Sequence, residues 1–209
     1  MQKLVTILFI LSIGFISCKD KKQISEKDTV DKKTVEVAQN PAKDSMEIRK
    51  VITEFYDWYN KNYTKFLEYN LYNGIKKKDV PPYKINWDVV EKYHAFIRKE
   101  VKELGEEFIK NQKNFLQQCD SAFKVDVEDE IPYGFDYDWY TNSQEDSKYL
   151  LDEMNKSKKW LINVNGNDAT ADIKGPYNDN GKQSETTIIK LAMKKENDKW
   201  KIAKIGMDQ

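Results

Sequence analysis

The chain has 209 residues, with 35 Lys plus Arg against 35 Asp plus Glu, and aromatic residues make up 12% of it. That balance excludes an electrostatic nucleic-acid binder, because neutralising phosphates takes a concentrated basic surface. A single histidine and two cysteines exclude four-cysteine zinc sites, most histidine-based metal sites and the ordinary Ser-His-Asp triad.

Residues 1–17 have the order of a secretory signal peptide. Met1-Gln2-Lys3 is a short positive start, Leu4 to Ile16 is apolar apart from Thr6, Ser12 and Gly14, and the small Ser17 precedes Cys18. The apolar run falls short of the roughly 20 residues that span a bilayer. Phe15-Ile16-Ser17-Cys18 resembles the lipobox of bacterial lipoproteins, with Phe15 where Leu is usual. The resemblance implies cleavage before Cys18, acylation of Cys18 and attachment to a membrane through the lipid. Several acyl chains on one residue hold firmly where a single chain binds only marginally. A cleaved signal releasing a free exported protein is the plainer alternative. Lys19 directly after the cysteine resembles Gram-negative lipoproteins sent to the outer membrane. Lys19-Asp20-Lys21-Lys22 partly resembles the charged tether signal for surface display, so the expected location is the outer membrane, on its periplasmic face or at the cell surface.

Residues 18–44 read as a charged tether. Lys19 to Lys43 is rich in Lys, Asp, Glu, Thr and Gln and holds no aromatic residue, so it cannot bury enough apolar surface to offset its ordering entropy. A coil of that length would hold the folded part roughly 25–30 Å from the membrane. Asp28-Thr29-Val30 and Asp44-Ser45-Met46 resemble bacterial O-glycosylation triplets.

Residues 45–209 suit one domain with a sizeable core. Asp44, with Glu47 three residues on, is expected to cap the first helix. Ile48, Val51, Ile52, Phe55, Trp58 and Tyr59 recur at spacings of three and four, so this helix ends near Asn62. Asn70 to Pro82 reads as a loop. From Asn86, the stripe Val90, His94, Ile97, Val101, Leu104 and Phe108 predicts a second helix that Gly105 ends or bends. A third piece carries Ile109, Gln112, Leu116 and Cys119 to Phe123. Trp160–Val164 and Ala169–Ile173 flank Asn165-Gly166-Asn167-Asp168 as a hairpin. Thr187–Lys194 and Trp200–Ile205 supply two further strands around the turn Glu196–Lys199. Helices first and antiparallel strands afterwards predict an α+β fold, with the helices packed on one face of the sheet.

Phe55-Tyr56-Asp57-Trp58-Tyr59 and the closing stretch from Leu191 through Trp200 to Ile202 together resemble a family of bacterial exported proteins known as domain of unknown function 3828. The likeness spans Met46 to Gln209 and takes in Gly105–Ile109 and Cys119. It implies a cone similar to nuclear transport factor 2, in which a curved antiparallel sheet wraps a long helix and leaves a pocket between them. The family has no established activity, so the likeness implies architecture and location alone.

The segment Asp126 to Tyr140, which joins the two halves, mixes carboxylates with aromatics. The family resemblance includes an Asp-x-Asp matched by Asp136 and Asp138. With Trp139 and Tyr140, and with Trp58 and His94 from the helices, these are the candidate binding residues. A calcium loop is one reading, but Tyr140 occupies the third ligand position and the turn glycine is missing. The bland alternative is a solvated, capped connection. His94 lies on an apolar stripe and reads first as a hydrogen-bonded core histidine, Cys119 as a buried inert thiol, and Lys76–Lys78 as solvated charge. No metal or cofactor is expected. The expected function is a non-catalytic, lipid-anchored envelope protein that binds a small ligand or a protein partner. An Asp/Glu-dependent glycan hydrolase, or an immunity or inhibitor lipoprotein, is the alternative.

Overall fold

Proline opens the first helix, where its missing N–H is no loss and its fixed φ suits the turn. In this computed structural model, which describes residues 41–74, 80–127, 131–179 and 182–206, α1 runs Pro41–Asn62. The signal segment, Cys18, the tether to residue 40 with its first glycosylation triplet, Lys76–Lys78 and Glu128–Glu130 lie outside the described residues. Among the described residues no helix is long and apolar enough to cross a membrane.

Ile48, Ile52, Phe55, Tyr56 and Tyr59 form the buried face of α1, at the three-and-four spacing of an amphipathic helix. Asp44 does not cap this helix as expected. It lies in the first turn, and its Oδ1 accepts from Lys195 Nζ at 2.7 Å and from Trp200 Nε1 at 2.8 Å. Ser45 of the second glycosylation triplet also lies inside α1, its hydroxyl donating to the Pro41 carbonyl at 2.7 Å.

α2 spans Trp87–Glu100 and α3 Glu106–Phe123. The stripe expected to continue through Val101 and Leu104 is broken at Glu100. Both residues are still buried, and Leu104 meets the sheet. Leu104 bridges Ile202 in parallel, the Ile202 N–H donates to the Glu103 carbonyl at 2.8 Å, and the Gly105 N–H donates to the Ile202 carbonyl at 3.0 Å. These bonds cover part of the free edge of the last strand, where unpaired backbone groups would otherwise remain. Gly105 then lets a distant side chain cap α3. The Glu196 carboxylate accepts from the Glu106 and Glu107 N–H groups at 3.1 and 3.2 Å, and a Cβ on Gly105 would stand 2.5 Å from its Oε1. A carboxylate at a helix N-terminus satisfies orphan donors and complements the dipole.

A fourth helix, α4 at Ser147–Lys156, has no counterpart among the elements expected from the sequence. Asp146 caps it by accepting from the Lys148 N–H at 2.7 Å, and Leu150, Leu151 and Met154 bury its short apolar face.

The strands form one antiparallel meander, β1 (Lys159–Asn165), β2 (Asp168–Asp179), β3 (Lys182–Glu196) and β4 (Lys199–Ile205), in that spatial order. Gly166 (φ 64°) turns the first hairpin, and Asn197 and Asp198 (φ 50° and 60°) turn the last. Two successive positive φ values match the twist of a two-residue hairpin. β3 extends well beyond the expected Thr187–Lys194. Register shifts at Ile173/Lys174 and Ala192/Met193 mark bulges, which bend the strands that carry them. Ala171, Ile173, Ile189, Leu191, Met193, Trp200 and Ile202 are buried, and α1, α3 and α4 pack against the sheet. The fold is α+β, as the order of the elements predicted.

Asp44→Ala is expected to cost about 2 kcal/mol by urea denaturation, because it leaves the Trp200 N–H and the Lys195 ammonium without their acceptor. Hydrogen bonds from Lys195 and Trp200 hold the Asp44 carboxyl below the usual carboxylate range. Its stabilisation is therefore complete above the unfolded pKa of roughly 4 and fades as pH falls through the lower folded value. The gap in unfolding free energy between wild type and variant should stay level above about pH 4 and shrink below it.

Candidate functional site

The connection between α3 and α4 is tied down from within. Asp138 and Ser143 form an isolated antiparallel bridge, with the Asp138 N–H donating to the Ser143 carbonyl at 3.0 Å. Asp138 Oδ1 accepts from the Tyr140 N–H at 2.7 Å, and its Oδ2 accepts from the Tyr59 hydroxyl of α1 at 2.6 Å. Both oxygens of this carboxylate are thus engaged by the protein itself.

Tyr140 is 3% exposed and inserts into the aromatic core between Phe55, Tyr59, Phe66 and Phe108. Its carbonyl accepts from the Tyr56 hydroxyl at 2.8 Å. Its hydroxyl accepts from Gln112 Nε2 at 3.3 Å and is in short contact with the Tyr93 hydroxyl. Gln112 Oε1 lies 3.1 Å from His94 Nε2, so the imidazole carries its proton on Nε2 and donates it to the amide. That donation leaves the Gln112 NH₂ to face the Tyr140 oxygen, and the Tyr140 and Tyr93 hydroxyls share one further hydrogen bond. His94, Gln112, Tyr140 and Tyr93 thus form one continuous buried chain.

Burial sets the charge state of this chain. Desolvation lowers the His94 pKa, opposed only in part by the Gln112 hydrogen bond, so the imidazole is held neutral. Desolvation likewise raises Tyr140, Tyr93 and Tyr59 above the usual phenol value, with Asp138 adding to the rise at Tyr59. Cys119 is a buried free thiol whose pKa burial pushes up to about 12. A thiol that stays protonated is a poor nucleophile.

Outside this chain, between α3, the 137–142 loop and the end of β4, lies a cleft of about 490 Å³. This volume falls in the range of small-molecule sites, roughly 300–1,000 Å³. One face of α3 supplies Asn111, Asn114, Phe115 and Gln118, the loop supplies Trp139 and Asn142, and Lys204 and Gly206 close the far side. Trp139 is fixed at both ends: its indole N–H donates to the Gly134 carbonyl at 2.6 Å, and its ring meets Phe115 and Phe135 edge-on at 5.6 and 5.0 Å. Gly134 must be glycine, with φ 80° and a Cβ position only 2.6 Å from the Phe115 ring.

The six sequence-predicted binding residues separate. Asp138, Tyr140 and His94 join the buried chain, Trp139 alone borders the cleft, and Asp136 is exposed with its carbonyl accepting from Gln144. Trp58 packs edge-on against Phe66 near Lys65 and does not line the cleft. Of the expected Asp136/Asp138 pair, Asp136 is exposed and Asp138 is half-buried with both oxygens engaged. Among the described residues no cluster of three or more His, Cys, Asp or Glu side chains is placed to hold a metal ion.

Sequence reasoning missed the cleft amides. Five of the eight residues from 111 to 118 are Asn or Gln (111, 112, 114, 117, 118), and three of them recur at i, i+3 and i+7, which was the available signal. Comparison with protein-family models, curated proteins and solved structures returns no match.

Tyr140→Phe is expected to cost about 2 kcal/mol, since it strands the Gln112 amide and the Tyr93 hydroxyl in the core. Chemical denaturation measures the loss.

Proposed function

We propose that this chain is a lipid-anchored protein of the bacterial cell envelope whose α+β domain binds a small ligand in the α3–β4 cleft without transforming it. Support for the anchor is the Phe15-Ile16-Ser17-Cys18 motif behind a signal-like segment. Support for binding is the cleft itself, whose walls are amides, aromatic rings and Lys204. Amides and rings hold a ligand by hydrogen bonding and stacking, and they exchange no proton at neutral pH. A glycan hydrolase instead needs two carboxyl groups about 5–10 Å apart across the scissile bond. The half-buried Asp138 is already occupied by Tyr59 and the Tyr140 N–H, which favours binding over hydrolysis.

Cys18→Ala should move the protein from the membrane to the soluble fraction, and continued membrane retention would refute the lipid anchor. For the cleft, full-length protein extracted in detergent from its native envelopes is expected to show a discrete small-molecule adduct by native mass spectrometry. The double variant Asn114→Leu/Gln118→Leu should lose it, because both side chains are exposed and their replacement leaves the core intact. An adduct that survives both changes lies elsewhere on the protein.

A further inference from the structure

From the cleft we infer the class of ligand, an inference that rests on the binding function proposed above: a neutral saccharide, held as a mono- or disaccharide by amide side chains beside a fixed tryptophan.

The polar lining is built from groups that match hydroxyls. Asn111, Asn114 and Gln118 come from one face of α3, and Asn142 stands across from them. Each primary amide offers two donors and an acceptor, and a sugar hydroxyl both donates and accepts, so the two pair without either being ionised. Among the described residues, the side chains of Asn114, Gln118 and Asn142 have no hydrogen bond to another protein group. Asn111 spends its Nδ2 on the Ala203 carbonyl at 3.0 Å, which fixes its orientation. Lys204 is the one charged side chain in the lining, and it is exposed. A strongly anionic or cationic ligand would find too little countercharge there to repay its desolvation.

The apolar lining has the other half of what a sugar ring presents. Trp139 and Phe115 stand at 84° to each other, a corner rather than a flat apolar slot. With its N–H committed to Gly134, Trp139 offers a ring without a competing donor, suited to the C–H face of a pyranose. The neighbouring rings hold it in place before any ligand arrives, which reduces the ordering cost of binding.

Two residues of the cleft lining have left-handed backbone. Asn142 sits at φ 50° and Gly206 at φ 72°, and a Cβ on Gly206 would stand 2.6 Å from Asn142 Oδ1. Non-glycine residues in the left-handed region carry a local cost that persists where the surroundings over-determine them, commonly at ligand clamps. Asn142 is such a residue, and it lines the cleft.

The test titrates full-length detergent-solubilised protein with cellobiose, maltose and N,N′-diacetylchitobiose to roughly 10 mM, using tryptophan fluorescence and calorimetry. Saturable binding of at least one is expected. Asn114→Ala and Gln118→Ala should each weaken it about fivefold, the equivalent of one lost hydrogen bond, and Trp139→Phe about tenfold or more. Asn114→Ala and Gln118→Ala change exposed side chains, so they remain informative if Trp139→Phe fails to fold. If envelope-extracted protein carries its cleft adduct and none of the three sugars binds, the saccharide class is overturned while the binding cleft stands. Binding of a short neutral peptide such as tri-alanine in place of the sugars overturns it as well. Sugar binding that is unchanged in Asn114→Ala and Gln118→Ala overturns the placement in this cleft.

Discussion

Tyr140 fixes the α3–α4 connection against three helices through three separate groups of one residue. Its N–H is held by Asp138, its carbonyl by Tyr56 of α1, and its hydroxyl by Gln112 of α3 and Tyr93 of α2. The loop that carries it also carries Trp139 and Asn142, the wall of the cleft. A connection between secondary-structure elements is ordinarily the more mobile part of a protein. This one is pinned because a large side chain at its centre is buried with its polar atoms paired. The geometry of the cleft is inherited from that burial.

Such a polar core is favourable only when it is complete. An unmatched hydroxyl or amide in a low-dielectric interior costs about 1–3 kcal/mol, more than a typical bond gains. The chain from His94 through Gln112 to Tyr140 and Tyr93 meets this condition because each side chain has a partner within it. Neutral His94 donates, the Gln112 amide accepts at one end and donates at the other, and the two phenols share the last hydrogen bond. Protonation of His94 would add a second donor to a site where burial disfavours the charge, so desolvation and hydrogen bonding select the same state. The other long-range polar contacts work similarly at the sheet. Asp44 joins the first turn of α1 to β3 and β4, and Glu196 ties the end of β3 to the start of α3.

Local patterns were legible in the sequence, and tertiary capping was not. The α1 stripe and the Asn197-Asp198 turn follow from spacing and backbone preference over a few residues, and both were readable. Asp44 looked like a cap because its neighbours resemble a capping box, yet partners more than 150 positions away claim its carboxylate. Val101 and Leu104 continued the α2 periodicity but lie buried past its end, Leu104 against β4, since an apolar residue fits any apolar neighbour and periodicity cannot name which. α4 was missed because its ten residues offer barely one apolar cluster. The acidic-aromatic segment does matter to the fold, but through other atoms than its composition suggests. Asp138 and Tyr140 turn inward as structure, while Tyr137 and Trp139 line the cleft. Gln112 was read as part of a core stripe and is indeed buried there, whereas Asn111, Asn114 and Gln118, one step around the helix, line the cleft.

That one-step offset explains how a single helix serves both purposes. Residues 109, 112, 116 and 119 of α3 face the core, and residues 111, 114, 115 and 118 face the cleft, two stripes separated by less than half a turn. The core stripe cannot shift without breaking the Gln112 bonds to His94 and Tyr140. The cleft stripe is therefore held in rotation by the core stripe as well as by its own bond from Asn111 to the Ala203 carbonyl. Since Tyr140 fixes the opposite wall through the same Gln112, both sides of the cleft are referenced to one buried amide. Changes to the exposed amides should alter what the cleft holds while leaving its shape, whereas changes to Tyr140, which does not line the cleft, should alter its shape without touching a ligand.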